Sequence, residues 1–229
     1  THTVTTIPGF FLTARLVTAS FGALTVLSAY ALGVRGWGRA AGLAGALFVA
    51  LLPFHLRFSQ WATTDVLAAF LVSVSLGAAI LVAQSGRWSA YVVAGAFAGL
   101  AASAKYNAGA VTGAIVVASV VGALAESGGV RRGGGVAPIR LWAGKYAPRL
   151  AAAGLAAIAC FVAGTPYALL SWGQVGGGIA RQWTNYGGAN GHYRGAWNVG
   201  GYAEFFLRDG LGVAGVALAL TGLAILGWR

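Results

Sequence analysis

The chain is a succession of long apolar segments with almost no charge inside them, and this pattern restricts what it can fold into. Only 8% of its 229 residues are charged, 58% are hydrophobic, and the mean hydropathy is +0.76. Soluble domains carry about 25% charged residues, so this chain has too little polar surface to fold in water. A helix needs about 20 residues to cross a bilayer. The sequence therefore predicts an all-α, polytopic membrane protein.

About seven apolar segments are predicted to be membrane-spanning helices of a single domain covering residues 1–229. They are residues 12–32, 40–53, 65–83, 89–104, 107–125, 150–170 and 209–227. Only "KYN" separates the fourth segment from the fifth, which predicts a close helical hairpin at Lys105. Glycine pairs at a spacing of four allow membrane helices to approach closely. Such pairs are Gly38/Gly42, Gly95/Gly99 and Gly109/Gly113.

The basic residues are distributed unevenly between the two sides of the predicted bundle. Nine of the fifteen lie on one side, in "GVRGWGR", in "QSGRW", in residues 126–149 and at the last position. Cytoplasmic loops of membrane proteins carry the excess of Lys and Arg. We therefore predict a basic cytoplasmic loop at 126–149, an extracytoplasmic loop at 171–208, and a location in the bacterial inner (plasma) membrane. The net charge of +11 is assigned to this topology and to anionic lipid headgroups, and no nucleic-acid partner is expected.

Most side chains capable of chemistry fall on the predicted extracytoplasmic side. They include His55, Arg57, Gln60, Asp65, Lys105, Tyr106, Tyr167, Asn190, His192 and Tyr193. The predicted cytoplasmic side offers mainly Arg, Lys and Gly. A reaction or a ligand is therefore expected at the extracytoplasmic face.

Asp65 and Lys105 stand out because the chain has only four acidic residues. Asp65 begins one predicted helix and Lys105 ends the next, so both lie at one membrane face. Ionisable residues at membrane depth are rare and often functional. Two hypotheses that give Asp65 a purely structural role also stay open. Asp65 is stabilised by the helix dipole, with Thr63 or Thr64 as a cap, or it forms a salt bridge with Lys105 that only ties two helices together.

The remaining motifs give weaker indications. Aromatic and amide side chains in the 171–208 loop suit a sugar, although Trp and Tyr also anchor membrane interfaces. His192 has no second ligand at regular spacing, so no metal and no cofactor are expected. The "RRGGGVAP" run lacks the context of a phosphate loop. There is no Ser-His-Asp order, no CxxC and no close carboxylate pair, so no motif in the sequence supports a hydrolase.

One ordered set of segments resembles a known superfamily. The segments are "RLVTASFGALTVLSAYALG", "AGLAGALFVALLPFHLRFSQWATTDVLAAFL", "AGAFAGLAASAKYNAGA", "FVAGTPYALLSW" and "GHYRGAW". Together they resemble bacterial GT-C membrane glycosyltransferases, in the branch of protein O-mannosyltransferases and lipid A aminoarabinose transferases. The resemblance runs from about Arg15 to the last apolar segment.

The resemblance implies a GT-C-like fold and the transfer of a sugar at the extracytoplasmic face. The donor would be a polyprenyl-phosphate-linked sugar, and the acceptor a protein, lipid or glycan. Lys105 corresponds to the residue near the donor phosphate, and Arg57 would assist it. Asp65 corresponds to a supporting acid. The implied substrate-binding residues are His55, Gln60, Tyr106, Tyr167, Asn190, His192 and Tyr193.

The catalytic base of this superfamily follows its first span, and that span has no counterpart here. The chain begins with Thr1 and contains no methionine, so we expect it to be part of a longer or processed polypeptide, with the base upstream of Thr1. Two other functions are weighed against the transferase. A non-catalytic GT-C-like scaffold subunit of a larger membrane complex would also lack the acid. A transporter would need polar pairs at mid-membrane depth, which the apolar segments lack.

Overall fold

The computed structural model describes residues 7–128 and 137–186, together with positions 204, 207, 211–212, 215–217 and 220. Within these residues the chain is an all-α membrane protein, as predicted. Its helices are α1 (Ile7–Trp37), α2 (Arg39–Leu51), α3 (Pro53–Ser59), α4 (Asp65–Ser85), α5 (Trp88–Ala104), α6 (Thr112–Glu126), α7 (Ala137–Leu141), α8 (Ala147–Gly164), α9 (Tyr167–Leu170) and α10 (Trp172–Tyr186). A 3₁₀ turn, Tyr106–Val111, precedes α6, and a π-helical turn, Trp142–Tyr146, joins α7 to α8.

A tight turn at Gly38 folds α2 back along α1. Gly38 has φ +93°, in the left-handed region that favours glycine. Beyond the turn the two backbones lie in close contact, because a Cβ built on Gly33 would lie 2.6 Å from Cα of Gly42. The glycine pair Gly38/Gly42 is therefore used in two ways: one residue makes the turn and the other allows close packing.

The segment after α2 does not continue as one straight helix. α2 and α3 meet at Leu52 at an angle of 61°. Leu52 has an extended backbone (φ −64°, ψ 118°), and Pro53 follows at the first position of α3. Proline disfavours the helical conformation in the residue before it, which explains the break. The bend directs α3 toward α1, where His55 lies 3.2 Å (Nε2) from the carbonyl oxygen of Gly22.

The centre of the bundle is formed by α4, α5 and α6. Small residues dominate their contact, and Ala78, Ala94 and Ala98 are buried. The buried Ser75 hydroxyl of α4 donates a hydrogen bond of 2.9 Å to the carbonyl of Ala94 on α5. Consecutive helices are antiparallel here, so the start of α4 and the end of α5 lie at the same end of the bundle.

α8 packs along α5, although the two helices are far apart in sequence. A Cβ built on Gly95 would lie 2.6 Å from the carbonyl carbon of Ala153, and one built on Gly99 would lie 2.8 Å from that of Ala157. Gly95 meets Ala153 and Gly99 meets Ala157, so the residue numbers rise in the same direction along both helices. The two helices are therefore parallel. The predicted pair Gly95/Gly99 is therefore the contact surface of a close helix pair, which we call the α5–α8 seam.

Polar contacts gather at the opposite end of the bundle from Asp65. Lys145 Nζ donates to both carboxylate oxygens of Glu126 at 2.6 Å, and the Tyr146 hydroxyl donates to the same group at 2.6 Å. Arg149 donates to the carbonyl of Gly86 at 2.8 Å. The π-helical turn therefore presents two successive donors to one acid at the end of α6.

The predicted count of about seven spans is not confirmed. Four helices of the described part are long and apolar enough to cross a membrane, or five if bent α2–α3 is one span. The four are Gly9–Trp37, Asp65–Ser85, Tyr106–Glu126 and Ile139–Gly164, while Trp88–Ala104 is shorter. The predicted span 150–170 ends as a helix at Gly164, and most of the predicted span 209–227 lies outside the described residues. The predicted loops 126–149 and 171–208 contain helix at Ala137–Leu141 and at Trp172–Tyr186.

Candidate functional site

Asp65 and Lys105 form an ion pair, between Oδ1 of the acid and Nζ of the base. Their side chains are 34% and 42% exposed, so the pair lies at the surface of the bundle end. The pairing of the two residues agrees with their predicted position at one membrane face. An ammonium group has three donor hydrogens. Since Asp65 takes one of them, the half-exposed Lys105 retains donors for an anionic group of a ligand.

Local backbone geometry places both members of the pair. Asp65 is the first residue of α4, where the helix dipole favours an acid. Thr64 occupies the N-cap position but its side chain makes no capping hydrogen bond, and the buried Thr63 hydroxyl has no partner among the described residues. The predicted capping by Thr63 or Thr64 is therefore wrong. Asp65 is oriented by Lys105 instead.

Lys105 lies where α5 ends. Its backbone is extended (φ −156°, ψ 118°), while its N–H still donates to the carbonyl of Ala101 at 2.9 Å. The 3₁₀ turn Tyr106–Val111 follows at once, so the predicted helical hairpin at this lysine is confirmed. Tyr106 is 40% exposed beside it.

A hydrogen bond between two hydroxyls joins the end of α8 to the same place. Ser103 Oγ and Thr165 Oγ1 are 2.7 Å apart, two residues before Lys105. Thr165 belongs to the "GTPY" segment, and Gly164 beside it leaves room for Ser103: a Cβ there would lie 3.0 Å from Cβ of Ser103. The "GTPY" segment is therefore adjacent to the Lys105 end of α5. The sequence analysis named the segments that contain Ser103 and Thr165 but did not predict the bond between their hydroxyls. No rule of sequence spacing connects two residues that are so far apart in the chain.

The three candidates around α3 are less closely associated with the ion pair. His55 contacts the α1 backbone at Gly22 and is half-buried. Arg57 is exposed and lies over the ring of Trp61, with its guanidinium carbon 5.0 Å from the ring centroid. Gln60 is exposed at the end of α3. No described contact joins any of the three to Asp65 or Lys105. Trp61, which the sequence analysis did not single out, is 44% exposed.

The remaining candidates lie on later parts of the chain. Tyr167 is 73% exposed at the start of α9, two residues after Thr165. Asn190, His192 and Tyr193 lie outside the described residues. Within the part of the chain that the structure describes, no group of three His, Cys, Asp or Glu side chains is arranged to hold a metal ion.

The hydroxyl pair gives a prediction about how α5 and α8 are joined beside the ion pair. Ser103→Ala and Thr165→Val should each lower the free energy of unfolding, with a coupling of about 0.6 kcal/mol in a double-mutant cycle, as for hydrogen bonds between membrane helices. Unfolding in mixed detergent micelles measures this. Ser20→Ala is the control, because that hydroxyl donates only to its own helix, at the carbonyl of Leu16. Strictly additive single effects would contradict the coupling.

Comparison with known proteins decides the family. A family profile described as dolichyl-phosphate-mannose-protein mannosyltransferase matches residues 4–130, more than half of the chain. The chain belongs to this family. This family is of the GT-C type of membrane glycosyltransferases, which confirms the resemblance stated from the sequence. No curated protein and no solved structure matches the chain.

The region that matches the mannosyltransferase family contains both members of the ion pair. It also includes His55, Arg57, Gln60 and Tyr106. The "GTPY" segment and all later candidates lie outside the matched range. The structure connects the two parts, because Thr165 of the unmatched part bonds to Ser103 of the matched part.

Proposed function

We propose that the chain belongs to an enzyme that transfers a sugar from a polyprenyl-phosphate donor to an acceptor at the extracytoplasmic face. The observation that carries the proposal is the half-exposed ion pair of Asp65 and Lys105, within the region that matches the mannosyltransferase family. Opposite charges concentrated at one end of an apolar bundle suit a substrate whose phosphate meets the membrane surface. The acceptor would be a protein, lipid or glycan hydroxyl.

In the proposed reaction, an acceptor oxygen attacks the anomeric carbon of the sugar. The bond from that carbon to the phosphate oxygen breaks, and polyprenyl phosphate leaves with the electron pair. A carboxylate base takes the proton of the acceptor hydroxyl, a form of help that is typically worth about 10²–10⁴-fold.

In the same proposal Lys105 offsets the negative charge that develops on the leaving phosphate. A fixed cation acts strongly on developing charge where water is scarce. Arg57, held over Trp61, is a second cation for the donor. Asp65 is a positioning residue that directs the Lys105 ammonium through their ion pair. His55, Gln60, Tyr106, Tyr167, Asn190, His192 and Tyr193 remain proposed contacts of the sugar or the acceptor.

Asp65→Asn tests the positioning role. The amide keeps the size of the side chain but removes the charge that holds Lys105, so we expect sugar transfer to fall by about tenfold, or about 1.4 kcal/mol. The assay uses the full-length protein in proteoliposomes with a polyprenyl-phosphate sugar. Glu126→Gln, which weakens the lysine–carboxylate pair at the other end, is the control and should leave transfer unchanged.

Two results would overturn the proposal. Unchanged transfer by a folded Asp65→Asn variant would remove the positioning role. A full-length wild-type protein that transfers no sugar from any polyprenyl-phosphate donor would favour the non-catalytic scaffold subunit instead.

A further inference from the structure

A groove lies between α1, α4 and α5, in the half of the bundle away from Asp65. It has a volume of about 230 Å³, and its walls include Ser28 and Leu32 of α1, Gly77 and Leu81 of α4, and Val93 of α5. Ala31 and Val93 are exposed, so the groove opens sideways from the bundle. Along α1 it runs from Ser28 to Arg35, about 10 Å of helix axis.

Most of the groove is apolar, so it suits an apolar ligand along most of its length. Its two hydroxyl groups are already satisfied by their own helices, Ser28 by the carbonyl of Leu24 at 2.9 Å and Ser73 by that of Ala69 at 2.7 Å. The other wall positions are aliphatic or glycine, apart from one. α1 and α4 are both long and apolar enough to span a membrane, so a groove that opens sideways between them would meet the acyl chains of the bilayer.

The exception is Arg35, which lines the groove at its outer end along α1. Its guanidinium has no hydrogen-bond or ion-pair partner in residues 7–128 and 137–186, and the residue is exposed. Other basic residues gather at this end of the bundle: Arg39, Arg87, Arg140, Lys145 and Arg149. Guanidinium groups bind phosphate in a bidentate manner, and basic residues at a membrane surface attract anionic headgroups.

We propose that this groove is a binding site for one anionic phospholipid, with an acyl chain between α1 and α4 and its phosphate on Arg35. The apolar walls, and at one end a cation that has no partner among the described residues, match the two parts of such a lipid. The site lies at the opposite end of the bundle from Asp65 and Lys105, so it is distinct from the proposed donor site. It does not depend on the proposed transferase activity.

Native mass spectrometry of the full chain in neutral detergent tests this directly. The probes are dioleoyl phosphatidylglycerol and dioleoyl phosphatidylcholine, which share their acyl chains and differ in headgroup charge. We expect the anionic lipid to bind about fivefold more tightly, the effect of one basic residue near an anionic headgroup. Arg35→Gln should abolish that preference and Arg35→Lys should keep most of it.

Two further variants distinguish lipid binding in the groove from unspecific attraction of anionic lipid to the positive charge at this end of the bundle. Arg39→Gln removes an exposed basic residue at the same end that does not line the groove, so the lipid preference should remain. Ser28→Leu fills the groove and should weaken both lipids by a similar factor. Circular dichroism confirms folding, which we expect to survive because Arg35 makes no hydrogen bond or ion pair within the described bundle that its replacement would remove.

Four outcomes would overturn the proposal. They are equal affinity for the two lipids, the same loss of preference from Arg39→Gln as from Arg35→Gln, unchanged lipid binding by Ser28→Leu, and dimers of the chain that form without lipid and are lost in Ser28→Leu. Inorganic phosphate serves as the soluble probe and gives a fifth contradicting outcome. If it displaces the anionic lipid at equal concentration, the site recognises a free anion and the acyl chain contributes nothing.

Discussion

Lys105→Gln is expected to lower sugar transfer by about 10²–10³-fold, the loss usually found when one group that stabilises developing charge is removed. Glutamine retains hydrogen-bond donors but not the positive charge, so the loss would report on charge. Folding should be little affected, because exposed ion pairs contribute at most about 1 kcal/mol. Transfer is measured in proteoliposomes at saturating donor, and again at low donor to separate binding from chemistry.

The chain supplies a matched control for this variant. Lys145 also pairs with a carboxylate, that of Glu126, and the side-chain exposures of the two pairs are similar: 42% and 34% for Lys105 and Asp65, and 37% and 42% for Lys145 and Glu126. The two pairs lie at opposite ends of the bundle. Lys145→Gln should leave transfer within about twofold of wild type. If both variants lose activity equally, the assignment of the phosphate to Lys105 is wrong.

Alanine at either glycine of the α5–α8 seam is expected to be strongly destabilising. At Gly95 and at Gly99 the new methyl group would overlap the backbone carbonyl of Ala153 or Ala157, and a backbone cannot move aside as a flexible side chain can. Overpacking of this kind typically costs about 1–3 kcal/mol per site. We expect the double variant Gly95→Ala/Gly99→Ala to separate α8 from α5, and unfolding in mixed micelles measures the loss.

Two other helical glycines provide the comparison. A Cβ built on Gly113 of α6 or on Gly154 of α8 would meet no atom within 4 Å. Alanine is favoured over glycine within helices by about 0.5–1 kcal/mol. Gly113→Ala and Gly154→Ala should therefore keep or raise the free energy of unfolding. Equal destabilisation by alanine at all four positions would contradict the inference that close backbone packing at the α5–α8 seam requires glycine.

Much of the helical order follows from the sequence, because apolar length is a direct requirement of the bilayer. The starts of α4 at Asp65 and of α5 at Trp88 lie at or next to the predicted positions. The contact of Asp65 with Lys105 also follows, since alternating helix directions bring the start of one helix and the end of the next to one face. These predictions need only the lengths of the apolar segments and their connections.

Helix partners do not follow in the same way. In a bilayer no hydrophobic force selects which apolar faces meet, so close packing of small residues decides. Three glycine pairs had the required spacing, yet Gly95/Gly99 forms a backbone-to-backbone seam while Gly113 faces open space. The partner of the seam, α8, lies in the unmatched later part of the chain. The bond from Ser103 to Thr165 depends on that partner and could not be predicted without it.

The parallel packing of α8 on α5 has a consequence for the order in which the protein is made. Ala153 leaves the ribosome about 60 residues after Gly95, which at about 5–20 residues per second takes about 3–12 s. During that interval the glycine face of α5 lies against lipid or the insertion machinery with its final partner not yet synthesised. The ion pair of Asp65 and Lys105 needs only α4 and α5, so it can form first. The hydrogen bond from Ser103 to Thr165, which joins this end of the bundle to the later part of the chain, forms only after α8 has been synthesised.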